Sequence, residues 1–173
     1  MKRGTRLCAL LLAALALCAC GRSTRRVRYF SYLEEPISLC LSGQLDGLSF
    51  TATLQSEGRP ASTGDRAANT ADFTLTYLSP PALAGVRVHY DAQTGDISVR
   101  LGELHAQGDS YAALCQVGSL LLGESPVTSA GRQADGSIRF ETMDGATRVI
   151  DQNGRPTHLA WSGDGRRIEV DVE

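Results

Sequence analysis

The sequence has a single lysine, no apolar run long enough to span a bilayer and no catalytic signature, and each lack narrows what the chain can do. Its positive charge is carried by sixteen arginines, and after Ala19 there remain 14 Arg, no Lys and 19 acidic residues, a formal charge of −5. That balance argues against a nucleic-acid footprint, which needs a basic face. The chain has no G-x-S-x-G, no phosphate-binding glycine loop, no carboxylate pair at a diagnostic spacing, no CxxC and no Cys/His cluster with metal-ligand spacing. A non-enzymatic protein without cofactor or metal is expected.

What the N-terminus does have is an export signal. Lys2, Arg3 and Arg6 precede an uncharged run from Leu7 to Leu17, and small residues follow. The run is eleven residues, against the roughly twenty that a helix needs to cross the hydrocarbon core, so it reads as a segment to be removed. It ends in Leu17-Cys18-Ala19-Cys20-Gly21, and Leu17-x-Ala19-Cys20 resembles the bacterial lipobox. The resemblance implies cleavage before Cys20, lipid on its thiol and a membrane-anchored domain outside the cytoplasm, in the bacterial cell envelope. An ordinary signal peptide cut after Ala19 is the alternative.

The expected organisation is a signal peptide over 1–19, a lipidated N-terminus and basic tether over 20–36, and one β-rich domain over 37–173. Removing the signal leaves enough chain for a single core. Arg22, Arg25, Arg26 and Arg28 follow the anchor directly; they read either as a contact to anionic lipid or as a solvated linker. Of five cysteines only Cys40 and Cys115 remain in the domain, where they either pair as a disulfide or stay as free thiols.

From Ile37 onward the dominant signal has period two. Leu48, Phe50, Ala52 and Leu54 alternate with polar residues, as do Phe73, Leu75 and Tyr77, then Val86, Val88 and Tyr90, then Ile97, Val99 and Leu101. The pattern returns at Ile138 and Phe140 and at Ile168, Val170 and Val172. Such alternation belongs to antiparallel sheets with one covered face. Hairpin residues separate the runs at Asp46-Gly47, Gln93 to Asp96, Asp135-Gly136, Asp144-Gly145, Asn153-Gly154 and Gly163-Asp164-Gly165, so the sheet reads as a meander of about nine to eleven strands.

Two stretches break the rhythm. Ser56 to Ala71 reads as a long loop. Asp109 to Gly123 is apolar on more than one side and too long for a strand, which predicts a helix with Asp109 or Ser110 as N-cap and Gly123 as its stop. A helix apolar on several sides needs cover, and the concave face of the sheet supplies it. The expected fold class is α+β, mainly β: a curved open antiparallel sheet with one main helix packed in its concavity.

His89, His105 and His158 are scattered and read as surface residues. Asp151-Gln152-Asn153-Gly154 begins like a calcium loop but lacks the later acidic ligands, and a hairpin turn explains it. Trp161 shares the apolar phase of Leu159 and reads as core.

The order of elements, with Phe73-x-x-x-Tyr77-x-x-Pro80, Leu83-Ala84-Gly85-Val86, one helix and Asp151-x-x-Gly154-x-Pro156, is similar to the bacterial lipoprotein-carrier superfamily of LolA, LolB and LppX-type lipoproteins. That family has an open, strongly curved antiparallel sheet closed by helices over a hydrophobic cavity. This chain departs from it in being shorter, with one helix where several are usual.

Two functional readings follow. The resemblance implies a lipid or other apolar ligand between sheet and helix, lined by Phe50, Leu54, Phe73, Leu75, Tyr77, Val88, Val99, Leu120 and Trp161. The other is a non-enzymatic envelope scaffold, sensor or partner-binding lipoprotein with a filled core. Periodicity reports burial and is blind to empty volume, so the two stay open at this level.

Overall fold

Alternation builds strands as expected. Phe50, Ala52 and Leu54 are buried, while Ser49, Thr51 and Gln55 between them are exposed. The computed structural model describes residues 29–59 and 70–173; the expected signal segment, Cys20, the arginines up to Arg28 and positions 60–69 of the expected loop lie outside the described residues.

The strands are β1 (Ile37–Leu45), β2 (Leu48–Ser56), β3 (Phe73–Ser79), β4 (Arg87–Tyr90), β5 (Ile97–Leu101) and β6 (Leu104–Gln107). The helix α1 (Ala112–Leu122) follows, then β7 (Val127–Arg132), β8 (Ile138–Thr142), β9 (Ala146–Ile150), β10 (Pro156–Gly163) and β11 (Arg166–Val172). All eleven form one antiparallel sheet in the order β6-β5-β4-β3-β2-β1-β11-β10-β9-β8-β7. Two meanders therefore meet at the β1–β11 pair, with Leu41 opposite Val172 and Leu45 opposite Ile168, and α1 carries the chain from one edge of the sheet to the other.

Turn chemistry explains the hairpins. Asp46 and Gly47 both have positive φ, as do Asp164 and Gly165, which is the requirement of a two-residue turn matched to strand twist. The other hairpin turns each have a glycine at positive φ: Gly85, Gly95, Gly102, Gly136, Gly145 and Gly154.

The curvature of the sheet follows from what α1 touches. The helix packs on β3 and β4 and also on β10. In sheet order β4 and β10 are five steps apart, about 24 Å on a flat sheet, whereas an eleven-residue helix is about 16 Å long. Both contacts exist only if the sheet wraps around the helix. Gly43, inside β1, lies close against the β11 backbone: a Cβ there would lie 2.2 Å from the Glu169 carbonyl oxygen, so no other residue fits.

Several expectations change. Leu48 and Leu101, placed on the apolar phase, are exposed because they stand at hairpin tips beyond the reach of the helix. Neither Asp109 nor Ser110 caps the helix; they belong to a 3-10 turn, Asp109–Tyr111, and no side chain bonds the helix N-terminus. Gly123 does end α1, but in extended backbone rather than the left-handed form. Residues 29–36, assigned to the tether, pack on the domain, with Phe30, Tyr32 and Leu33 buried. Trp161 is half-buried, and its indole N–H donates to the Asp144 carbonyl at 2.9 Å. Cys40 and Cys115 form no bridge: both are free, Cys40 exposed on β1 and Cys115 buried on α1.

Candidate functional site

The face of the sheet that holds α1 is where an apolar ligand would lie. The structure brings all nine expected lining residues into one apolar cluster. Leu54, Leu75, Tyr77 and Val88 have no exposed surface, Phe50, Phe73 and Leu120 are buried, and Val99 and Trp161 pack partly buried against them. Val117 and Leu121 of the helix are fully buried on the same side.

The contacts between helix and sheet are tight. Phe73 lies flush against Gly118, where a Cβ would come within 2.3 Å of the ring. The Tyr77 hydroxyl donates to the Leu114 carbonyl at 2.8 Å, and burial, with a smaller contribution from Cys115, raises the phenol well above its ordinary value. Burial likewise raises the Cys115 thiol, partly offset by its contact with the Ser119 hydroxyl at 3.3 Å.

The helix C-terminus shows a feature that periodicity hides. The last carbonyls of a helix have no partner within it. Here three in succession are met by three separate elements. Arg148 Nε of β9 donates to Leu120 O at 2.8 Å, the Tyr32 hydroxyl to Leu121 O at 2.8 Å, and the Ala71 amide to Leu122 O at 3.3 Å. An arginine there also meets the negative end of the helix dipole.

Arg148 is 1% exposed, and its charge is not left alone. Its Nη1 donates to Thr142 Oγ1 at 3.1 Å and its Nη2 to Asp144 Oδ2 at 3.3 Å, while Phe30 places its ring 5.6 Å from Cζ. Thr142 Oγ1 in turn lies 2.6 Å from Asp144 Oδ1. The Tyr32 phenol is pushed up to about 12 by burial, against the opposing pull of Arg148 and Arg59.

Sequence reasoning missed Arg148 and Tyr32. The signal for the first is that Arg148 shares the inward phase of Ala146 and Ile150, two residues to either side, where an apolar residue is expected. The signal for the second is the aromatic run Tyr29-Phe30-x-Tyr32, too apolar for a linker.

Three pockets among the described residues lie elsewhere: about 220 Å³ beside Tyr32 and Pro156, about 390 Å³ over Ile138 and Gln152, and about 240 Å³ on the β7–β8 hairpin. None of these three is lined by α1 or by the nine expected residues. No group of three or more His, Cys, Asp or Glu able to hold a metal occurs among the described residues. The Asp151 carboxylate accepts the Asn153 and Arg155 amides, both at 2.8 Å, which makes the Asp151–Gly154 stretch a turn. His158 is half-buried on the outer face and lies 2.9 Å from Asp171, and His89 and His105 are exposed. No helix of the described residues is long and apolar enough to cross a membrane.

Among solved structures, an uncharacterized conserved protein from Thermus thermophilus superposes with a TM-score of 0.50 at 12% identity, covering 87% of this chain and 84% of its own. The chain shares that protein's fold. Weaker likenesses are a LolA superfamily protein from Nitrosomonas europaea, with a TM-score of 0.45 at 9% identity over 86% of this chain and 89% of that one, and a protein domain from Vibrio parahaemolyticus described by its outer membrane lipoprotein sorting, with a TM-score of 0.45 at 8% identity over 87% and 88%. No family model matches the sequence, and no curated protein does.

Proposed function

We propose that this chain is a lipid-anchored envelope protein, held through Cys20, whose LolA-like domain is filled by its own side chains and works through its surface as a partner-binding module. The observation that carries this reading is the fastening of α1. A carrier needs a pocket of at least about 300 Å³ and a way to open it. Here the helix lies against Phe73 with no gap and is tied by Tyr77 at one end and by Arg148, Tyr32 and Ala71 at the other. Moving it aside would break the bond from buried Arg148 to Leu120 O together with those of Tyr77, Tyr32 and Ala71, and each group left buried without its partner costs about 1–3 kcal/mol.

The test is a titration of the delipidated full chain with a fluorescent fatty acid. The filled-core reading expects no saturable signal. Saturable binding that Leu75→Trp abolishes by filling the space would reverse the assignment, and the nine clustered residues would then be ligand-lining.

A further inference from the structure

The outer face of the β4–β6 wing carries a charge arrangement that the fold itself does not use. Strand register puts Arg87 opposite Arg100 and Arg100 opposite His105, a straight row across three strands, and all three residues are exposed. Like charges directly opposite one another weaken a sheet. Among the described residues neither arginine forms an ion pair, and Glu103, in the turn beside them, pairs with neither. In a chain with more acidic than basic residues, this row is a local concentration of the opposite sign.

The row ends at the edge of the sheet, because among the described residues β6 is the last strand on that side. The Gly108 amide donates to Ile97 O at 3.0 Å, which sets the alternation of the β5–β6 ladder. Ala106 and Leu104 then bond inward, and His105 and Gln107 direct their N–H and C=O groups away from the sheet. At the tip of the same hairpin Leu101 and Leu104 lie opposite each other, 45% and 72% exposed.

We infer that this edge docks an extended acidic segment of a partner protein by strand addition. The open groups of His105 and Gln107 pair with the incoming backbone, Arg100, two strand spacings of about 4.8 Å from it, reaches past His105 to a carboxylate with the charge of Arg87 behind it, and the Leu101–Leu104 pair receives an apolar side chain. Arginine suits this because its planar fork takes a carboxylate in two parallel bonds. An anionic polymer without a peptide backbone would use the charge but not the edge, so the edge and the leucine pair favour a polypeptide. The inference rests on the surface-binding reading above and names the chemistry of the partner.

The test uses the detergent-solubilised full chain and a labelled ten-residue peptide that alternates Glu with Val and Thr, followed by fluorescence anisotropy. Saturable binding is expected, falling as salt rises. It should weaken about tenfold with Arg87→Gln and Arg100→Gln together, since charge-assisted pairs are lost. Gln107→Pro should weaken it similarly, because proline removes an outward N–H without breaking a ladder bond. If a variant fails a circular-dichroism check of folding, the same peptide with alternate amides N-methylated makes the comparison on the wild type. The inference is overturned by no saturable binding, by binding equally strong with Lys in place of Glu, or by binding indifferent to both Gln107→Pro and N-methylation. Vesicles of phosphatidylglycerol that compete the peptide away through the arginines would also overturn it, by making the row a membrane contact. The fatty-acid titration does not involve this edge, so the two readings fail separately.

Discussion

Arg148 on β9 and Leu120 on α1 are joined by a hydrogen bond of 2.8 Å from Nε to the carbonyl oxygen, between a guanidinium that is almost fully buried and the first of three successive carbonyls at the helix end. Arg148→Met keeps roughly the aliphatic stem of the side chain and removes every donor. Leu120 O and the Thr142–Asp144 pair then lose their partner, and the expected loss is about 2–3 kcal/mol in a urea titration. Arg148→Lys should fall between, since an ammonium does not reproduce the fork. Wild-type stability in Arg148→Met would remove the latch from the account of α1.

Gly118→Ala sets two effects against each other. In an exposed helix the change gains about 1 kcal/mol in helix propensity. Here the new methyl meets the Phe73 ring at 2.3 Å, and overpacking of that kind costs about 1–3 kcal/mol. A net loss is expected, and adding Phe73→Leu should recover part of it. Independent, additive losses in the double variant would show that the two residues do not share a contact.

Stability should decline in alkali. Burial holds the Tyr32 phenol at about 12, so the folded protein keeps a proton that an unfolded chain releases above its ordinary value of 10.0. The contribution of this group is complete below pH 10.0, and it is lost as the pH rises towards about 12. Tyr77 acts in the same direction. Denaturant midpoints at several pH values should be flat from neutral to about pH 9 and then fall. Tyr32→Phe should lower the starting value, through the lost bond to Leu121 O, and make the fall shallower. An identical slope in the variant would place the alkaline transition elsewhere.

The anchor is tested by labelled palmitate. Wild type should incorporate it and partition with membranes, since each buried CH₂ of an acyl chain contributes about 0.8 kcal/mol. Cys20→Ala should take up none and retain its signal segment. A soluble, unlabelled wild-type species beginning at Cys20 would show that the lipobox resemblance is not used.

The parts of this fold that could be read from the sequence are those where one residue type has one job. Phe50, Ala52 and Leu54 lie at period two because one face is buried, and Asp46-Gly47 turns a hairpin because both positions need positive φ. The segment of α1, apolar on more than one side, announced that the helix would be covered. Parts with divided roles could not be read. β7 is an exposed edge, so Thr128, Ser129 and Gly131 carry no inward signal, and in β9 the inward phase is interrupted by Arg148, whose aliphatic stem packs while its head bonds. Which element satisfies the helix carbonyls depends on three segments far apart in the chain, and no local pattern encodes it. Whether the inner face is full or hollow is a matter of volume, and alternation is the same in both.

The junction of β1 with β11 bears on the order in which the molecule can be assembled. Residues near 41 pair with residues near 172, and Cys40 exchanges both backbone bonds with Glu173, at 3.0 and 2.9 Å. While the chain is being made, β1 therefore has β2 on one side and nothing on the other until β11 arrives. For that interval the middle of the future sheet is a bare edge, with Leu39, Leu41 and Leu45 uncovered, and such edges invite pairing with other chains. Contacts this distant in sequence also form slowly. The strand pair that joins the two meanders is thus the last seam to close and the one most exposed to error before it does.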